Sequence, residues 1–259
     1  MTDGDRTPAD AGRATTVVRF PGRSARQRRL RRWAFVAAAL LGALAVAWVL
    51  FLSPVLAVDH VEVTGTTLVD GAEVERRLDP VLGTPLPRVG TDRVMELLAD
   101  TPGVESVRAA ALPPTGLEVV VQEAAPLASA AGDSGRDVLM ADGSVLSGVA
   151  PEALDDGAEG AAVPTAGEGL LAQGEGVRRA VADVVGSLPA DLRERTSAVD
   201  ADVAEQARLT FEDGLVVVWG DAGDTERKAT VVRAFLGDRD ALEGVTELDV
   251  SVADRPLTR

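Results

Sequence analysis

Few side chains in this sequence are equipped for chemistry. Of its 259 residues one is His, at 60, one is Lys, at 228, and none is Cys or Tyr. Thiol nucleophiles, disulfides and thiolate metal sites are therefore excluded. Lys228 is the one amine that burial could convert into the base of a Ser–Lys pair. It stands beside Glu226 and Arg227 in the polar first turns of a helix, where a solvated cation is expected. His60 falls alone on the solvent side of a short strand, a poor start for a metal site. Asp142 before Gly143, Asp200 with Asp202 and Asp221 with Asp224 each offer fewer oxygens than a calcium ion takes, and turn or cap roles account for them. Gly167, Gly169, Gly174 and Gly176 imitate a phosphate loop without its strand, Lys or Thr. The sequence thus predicts no catalytic, cofactor-binding or metal site, no cofactor and no small-molecule substrate. Binding to other proteins is the expected chemistry.

The elements that would position such binding follow from charge and hydropathy. The chain carries a net charge of -15, which disfavours nucleic acid as a partner. That charge is uneven: residues 1–32 hold nine Arg and three Asp, net +6, leaving -21 for the rest. Residues 33–52, WAFVAAALLGALAVAWVLFL, are uncharged and long enough, at about 1.5 Å per residue, to cross a hydrocarbon core of roughly 30 Å as a helix. The run exceeds the apolar core of a cleaved signal peptide. Arg28, Arg29, Arg31 and Arg32, with Arg26, precede the span, so the positive-inside rule predicts a cytoplasmic amino terminus and an exported remainder. The same arginines suit anionic lipid headgroups. Residues 1–32 are expected to be a disordered basic tail and 53–57 a linker.

Beyond the span the pattern is α+β. Val61 and Val63 alternate with polar neighbours before Gly65, a short strand. Asp70, with Glu73 reaching back, is expected to cap a helix running to Gly83, and Thr91 a second helix carrying Val94, Leu97 and Leu98. Strands over 104–112 and 117–121 follow, joined by a turn over 113–116, with Leu117, Val119 and Val121 on one face. Residues 58–126 thus read strand, helix, helix, strand, strand. Residues 127–252 read as a β-rich module with helices packed on a mainly antiparallel sheet. Asp142–Gly143 forms a hairpin turn in it, and 147–176 is expected to be a long acidic loop with at most a short strand. Val177, Val181, Val184, Val185 and Leu188 make a helical stripe with Arg178 and Arg179 turned to solvent. A hairpin spans 206–219, and Asp224 begins a helix packing Val231, Val232, Phe235 and Leu236. In the last strand, 246–252, Leu248, Val250 and Val252 share one face. Residues 253–259 form a tail too short to cover it.

This order, directly after a single span, with the wording VEVTG, GTPL, TPGVESVRAAALPPTGLEVVVQE and Pro126, resembles the bacterial cell-division family FtsQ/DivIB, whose first exported unit is a POTRA domain. VLMADGSVL, LTFEDGLVVVWG with DTERKATVVRAFL, and ELDVSV resemble its later hairpins, helix and terminal strand. Two places depart from the family wording: Ala110, Ala111 and Leu112, and the stretch Glu123, Ala124, Ala125, Pro126.

The resemblance implies a non-enzymatic, bitopic divisome scaffold in the cytoplasmic membrane. It would be enriched at the division septum and would bind FtsB- and FtsL-like proteins through the membrane-distal module. By position Thr246, Glu247, Leu248, Asp249, Val250, Ser251 and Val252 would receive a partner strand on an open sheet edge, with Arg227 and Lys228 facing acidic partner side chains. Two rival classes are a POTRA-type chaperone binding near 104–109 and an anchored Ser/Lys hydrolase dependent on Lys228.

Overall fold

The computed structural model describes residues 25–52, 56–157, 163–167, 169–201, 206–238 and 244–259. The chain divides into two units, Met1–Trp48 and Val49–Arg259. The first is dominated by helix α1 (Ala25–Leu52). Its stretch Arg28–Val49 is the one helix among the described residues long and apolar enough to cross a membrane, and its apolar side chains, Trp33, Leu41 and Trp48 among them, are exposed. Such a surface is stable in lipid, which also explains the helix, since hydrocarbon offers the backbone no other hydrogen-bond partner. The arginines expected in a disordered tail lie instead on the first turns of α1, which begins at Ala25. The expectation for residues 1–24 lies outside the described residues.

The second unit opens with a three-stranded sheet in the order β1-β3-β2. Strand β1 (His60–Thr64) runs parallel to β3 (Gly116–Glu123), and β2 (Val104–Leu112) antiparallel to it. Helices α2 (Gly71–Arg77) and α3 (Thr91–Leu98) cover one face. Val74, Leu78, Val94 and Leu98 meet Leu117, Val119 and Val121 there, as their spacing predicts. The helix starts differ from expectation in detail. Asp70 does cap α2, accepting the Ala72 amide at 2.9 Å, but Glu73 turns forward to Arg76 and Arg77 rather than back to the cap. Gly90 precedes α3, and Thr91 instead accepts the Ala109 amide of β2 at 3.3 Å.

The rest is a nine-stranded sheet in the order β12-β11-β10-β9-β8-β7-β4-β5-β6, with five antiparallel and three parallel pairings. Its strands are β4 (Pro126–Ala131), β5 (Arg136–Met140), β6 (Val145–Val149), β7 (Thr165–Ala166), β8 (Thr196–Ala201), β9 (Ala207–Phe211), β10 (Val216–Gly220), β11 (Glu247–Asp249) and β12 (Leu257–Thr258). Helices α5 (Glu175–Ser187), α6 (Ala190–Arg193) and α7 (Thr225–Gly237) bury Val181, Val184, Val185, Leu192, Ala229 and Val232 against Leu209, Phe211, Val217, Trp219 and Leu248. Each valine, leucine or phenylalanine among them, fully removed from water, contributes about 1.5–3 kcal/mol. The stretch 147–176 holds more structure than a loop. Beyond β6 it forms α4 (Pro151–Gly157) and β7, because Leu154, Ala166 and Leu170 give it buried anchors.

The two sheets meet at the turn Asp142–Gly143. The Gly103 amide donates to Ser144 Oγ at 2.8 Å and Asp142 Oδ2 at 3.2 Å, while Leu146 packs among the residues of the first core. Arg178 and Arg179 are not simply solvated. They donate to the carbonyls of Gly143 and Asp142, at 3.1 and 2.8 Å, and clamp the turn onto α5. Gly143 has φ +78°, and a Cβ there would lie 2.9 Å from Arg179 Cα, so glycine fits both the turn and the close approach.

Candidate functional site

The strand expected to stand open is covered. Strand β11 is three residues long and pairs parallel with β10, Leu248 opposite Val217, and antiparallel with β12, Leu248 opposite Thr258 and Asp249 opposite Leu257. The amides of Thr246 and Glu247 both donate to the Arg259 carbonyl, at 2.8 and 3.1 Å, and the Arg259 amide returns to the Glu247 carbonyl at 2.9 Å. Both rims of the ribbon are thus occupied by its own chain, which corrects the expectation of a free edge at 246–252. The cause is local. Asp249 Oδ1 accepts the Ser251 amide at 2.9 Å and ends the strand, and the Arg255 amide reaches the Val252 carbonyl at 3.0 Å to close a turn. Pro256 then biases Arg255 toward an extended backbone, which feeds β12. Seven residues suffice because a hairpin return needs only a short turn.

The ribbon's side chains divide differently from the simple alternation. Leu248 and Val250 are fully buried, but Val252 is 57% exposed. The Val250 amide donates to the Val218 carbonyl at 2.9 Å, so it serves the sheet itself. Substituting proline there would break an internal bond before testing any partner. Glu247 bridges Arg208 of β9 and Arg259, and Arg227 of α7 pairs with Asp254. Arg227 is held above the ordinary arginine range chiefly by its hydrogen bond to Asp254, with the charges of Asp254 and Asp224 adding to it. Arg208, Asp254 and Arg259 therefore belong to this corner, although sequence reasoning passed over them. Pro256 after a Ser-x-x-Asp stretch was the available signal for a turn.

Lys228 is not a solvated surface cation. It is 2% exposed, and its Nζ donates to the Asp221 carbonyl at 2.9 Å and to Asp221 Oδ1 at 3.0 Å. It cannot present its ammonium directly to a partner, in contrast to Arg227. Neither bond is to a Ser hydroxyl, so the arrangement sought for a Ser/Lys hydrolase is not formed at this position. Asp224 precedes α7 as expected but in a left-handed conformation, φ 51°, and makes no side-chain cap. Asp142 holds its turn, Asp200 accepts the Ala201 amide, and Asp202 lies outside the described residues. Arg28, Arg29, Arg31 and Arg32 are exposed on α1.

The hydrogen bond from Lys228, followed by that from the Gly223 amide, holds the Asp221 carboxyl below the usual carboxylate range. A carboxyl depressed in the folded state adds stability that is present above its unfolded value and lost as pH falls through the folded one. Asp221→Asn should therefore lower the melting temperature at pH 7 and converge with the parent as pH drops below about 4. Melting curves at stepped pH check this. A constant difference down to pH about 2 would show that the ion pair is not its source.

An apolar membrane helix followed by a POTRA-like βααββ unit and a β-rich module defines a single-pass, membrane-anchored α+β protein. No family model matches the chain. It is, however, 30% identical to the cell division protein FtsQ of Streptomyces collinus, the match covering 92% of this chain and 91% of that protein. It is also 28% identical to the protein of the same name in Mycolicibacterium smegmatis, over 97% of this chain and 71% of that one. A third FtsQ, of Mycobacteroides abscessus, is 28% identical over 82% of this chain and 64% of its own length. The chain belongs to the FtsQ family of cell-division proteins.

Proposed function

We propose that this division protein is a non-enzymatic bitopic scaffold. Its amino terminus lies in the cytoplasm, its POTRA domain spans 58–125 and its β module runs from Pro126 of β4 through β12, both outside the membrane, and it is enriched at the septum. It binds FtsB- and FtsL-like partners at the β11 end of the nine-stranded sheet, around residues 246–252 and Arg227. The observation that supports this site is how thinly the sheet ends there. A three-residue strand is followed by a two-residue one, with Val252 and Leu257 exposed beside it. Fluorescent fusions test the role, with midcell enrichment in dividing cells expected and uniform envelope staining counting against it. Photocrosslinking from position 252 should capture the FtsB-like protein.

One observation favours a second docking place. Among the described residues no strand pairs with the outer side of β2, so the chaperone-like reading retains an edge over 105–108, between the Val104 and Ala109 amides that Thr101 and Thr91 hold. Crosslinks from Arg108 but not from Val252 would select it.

A further inference from the structure

We infer that residues 253–259 are a displaceable strap, occupying the outer edge of β11 in the free protein and yielding it to a longer strand of the partner. The inference rests on the reading that a partner binds at 246–252. The inner edge of β11 is committed to β10, which leaves only the edge that β12 holds available for exchange. The hold is slight. Strand β12 faces β11 through two residue pairs, and the Arg259 backbone supplies the three bonds to Thr246 and Glu247. Leu257 and Thr258 are exposed, so the strap buries little apolar surface. Its ion pairs, Arg259 with Glu247 and Arg227 with Asp254, involve exposed arginines, where solvent weakens them.

Very short, charged edge strands are a known way to blunt a sheet edge against unwanted pairing. The same brevity makes the strap a low-stability element that opens without global unfolding. A partner strand of ordinary length, about five or six residues, would pair further along the ribbon than β12 does and could cover Val252. It would also part Arg227 from Asp254 and Glu247 from Arg259, leaving Arg227 beside Asp224 and Glu247 on Arg208, each with one charge partner fewer. The apparent affinity is then the intrinsic affinity reduced by the fraction of molecules with the strap open.

A reversible lock tests this in the full chain held in lipid nanodiscs. Asp249 and Leu257 are directly opposed, and the protein has no Cys of its own. Opposed residues of an antiparallel pair have Cα atoms about 4.5–5.5 Å apart, within disulfide reach. The double variant Asp249→Cys with Leu257→Cys, oxidised, should bind the exported segment of the FtsB-like protein at least about tenfold more weakly than the same protein after reduction. A chain ending at Ala253 should bind several-fold more tightly than the parent, its fold checked by melting. Equal affinity of the oxidised and reduced forms, while the parent binds, overturns the strap and leaves the proposed function standing. A folded shortened chain that binds no tighter than the parent does the same. No binding by parent, reduced and shortened chains alike removes the partner site, and the strap with it.

Discussion

Replacing Glu123 by Ala is expected to destabilise the folded chain by about 3 kcal/mol, because one carboxylate gathers the amides of a whole turn. Glu123 Oε1 accepts from Thr67 at 2.8 Å, Leu68 at 3.0 Å and Val69 at 2.7 Å, and Oε2 accepts from Leu68 at 3.1 Å. Three successive N–H groups converging on one anion form the concave site that such backbone turns offer to negative charge. Here the anion is supplied by the end of β3. The segment matters because Val69 packs in the first core while Leu68 packs beside Ala124, Val138 and Met140 at the joint between the sheets. Without the carboxylate, water reaches Thr67 easily but Leu68 and Val69 poorly, so the loss approaches the cost of two or three unmet donors. Glu123→Gln keeps an acceptor oxygen but not the charge, and should lose about half as much. Urea titrations followed by circular dichroism separate the two. A midpoint unchanged in Glu123→Ala would show that the turn is held by packing alone.

Glu123 also marks what could be read from sequence. The sequence places the strand over 117–121 and stops two residues short of it, and its function depends on residues far back in the chain bringing their amides to it. Local periodicity served well wherever one face meets one core. The valines of α5, the alternation of β3 and the hairpin at Asp142–Gly143 all fall where spacing places them. It failed where a polar residue finds a distant partner. Arg178 and Arg179 look like a solvated helix face until the β5–β6 turn arrives beneath them. Lys228 looks like an ordinary surface amine until the Asp221 carbonyl turns toward it. The most consequential failure was at the ribbon itself. The few residues after β11 suggest an exposed side, yet Pro256, with Asp249 before the turn and Asp254 within it, makes a return strand feasible.

Leu248→Ala should cost about 2–5 kcal/mol, whereas Val252→Ala, four residues on, should stay within about 0.5 kcal/mol. Leu248 is fully buried and packs in the cluster that includes Val217, Trp219 and Val232, so truncation leaves a cavity that a strand tied to β10 cannot collapse into. Val252 is 57% exposed and lies beyond the last backbone pair of β11, so its side chain supports little of the fold. Trp219, buried in the same cluster as Leu248, makes fluorescence a direct reporter of the difference. The contrast decides how any loss of partner is to be read. A binding defect in Leu248→Ala follows from an unfolded sheet end, and only a defect in the stable Val252→Ala variant reports a contact. If the two variants melt alike, the boundary between core and surface does not fall between Val250 and Val252. Residues 251 and 252 would then have to be assigned to the fold, and partner contact would have to be sought on Arg227 and the outer face of β12.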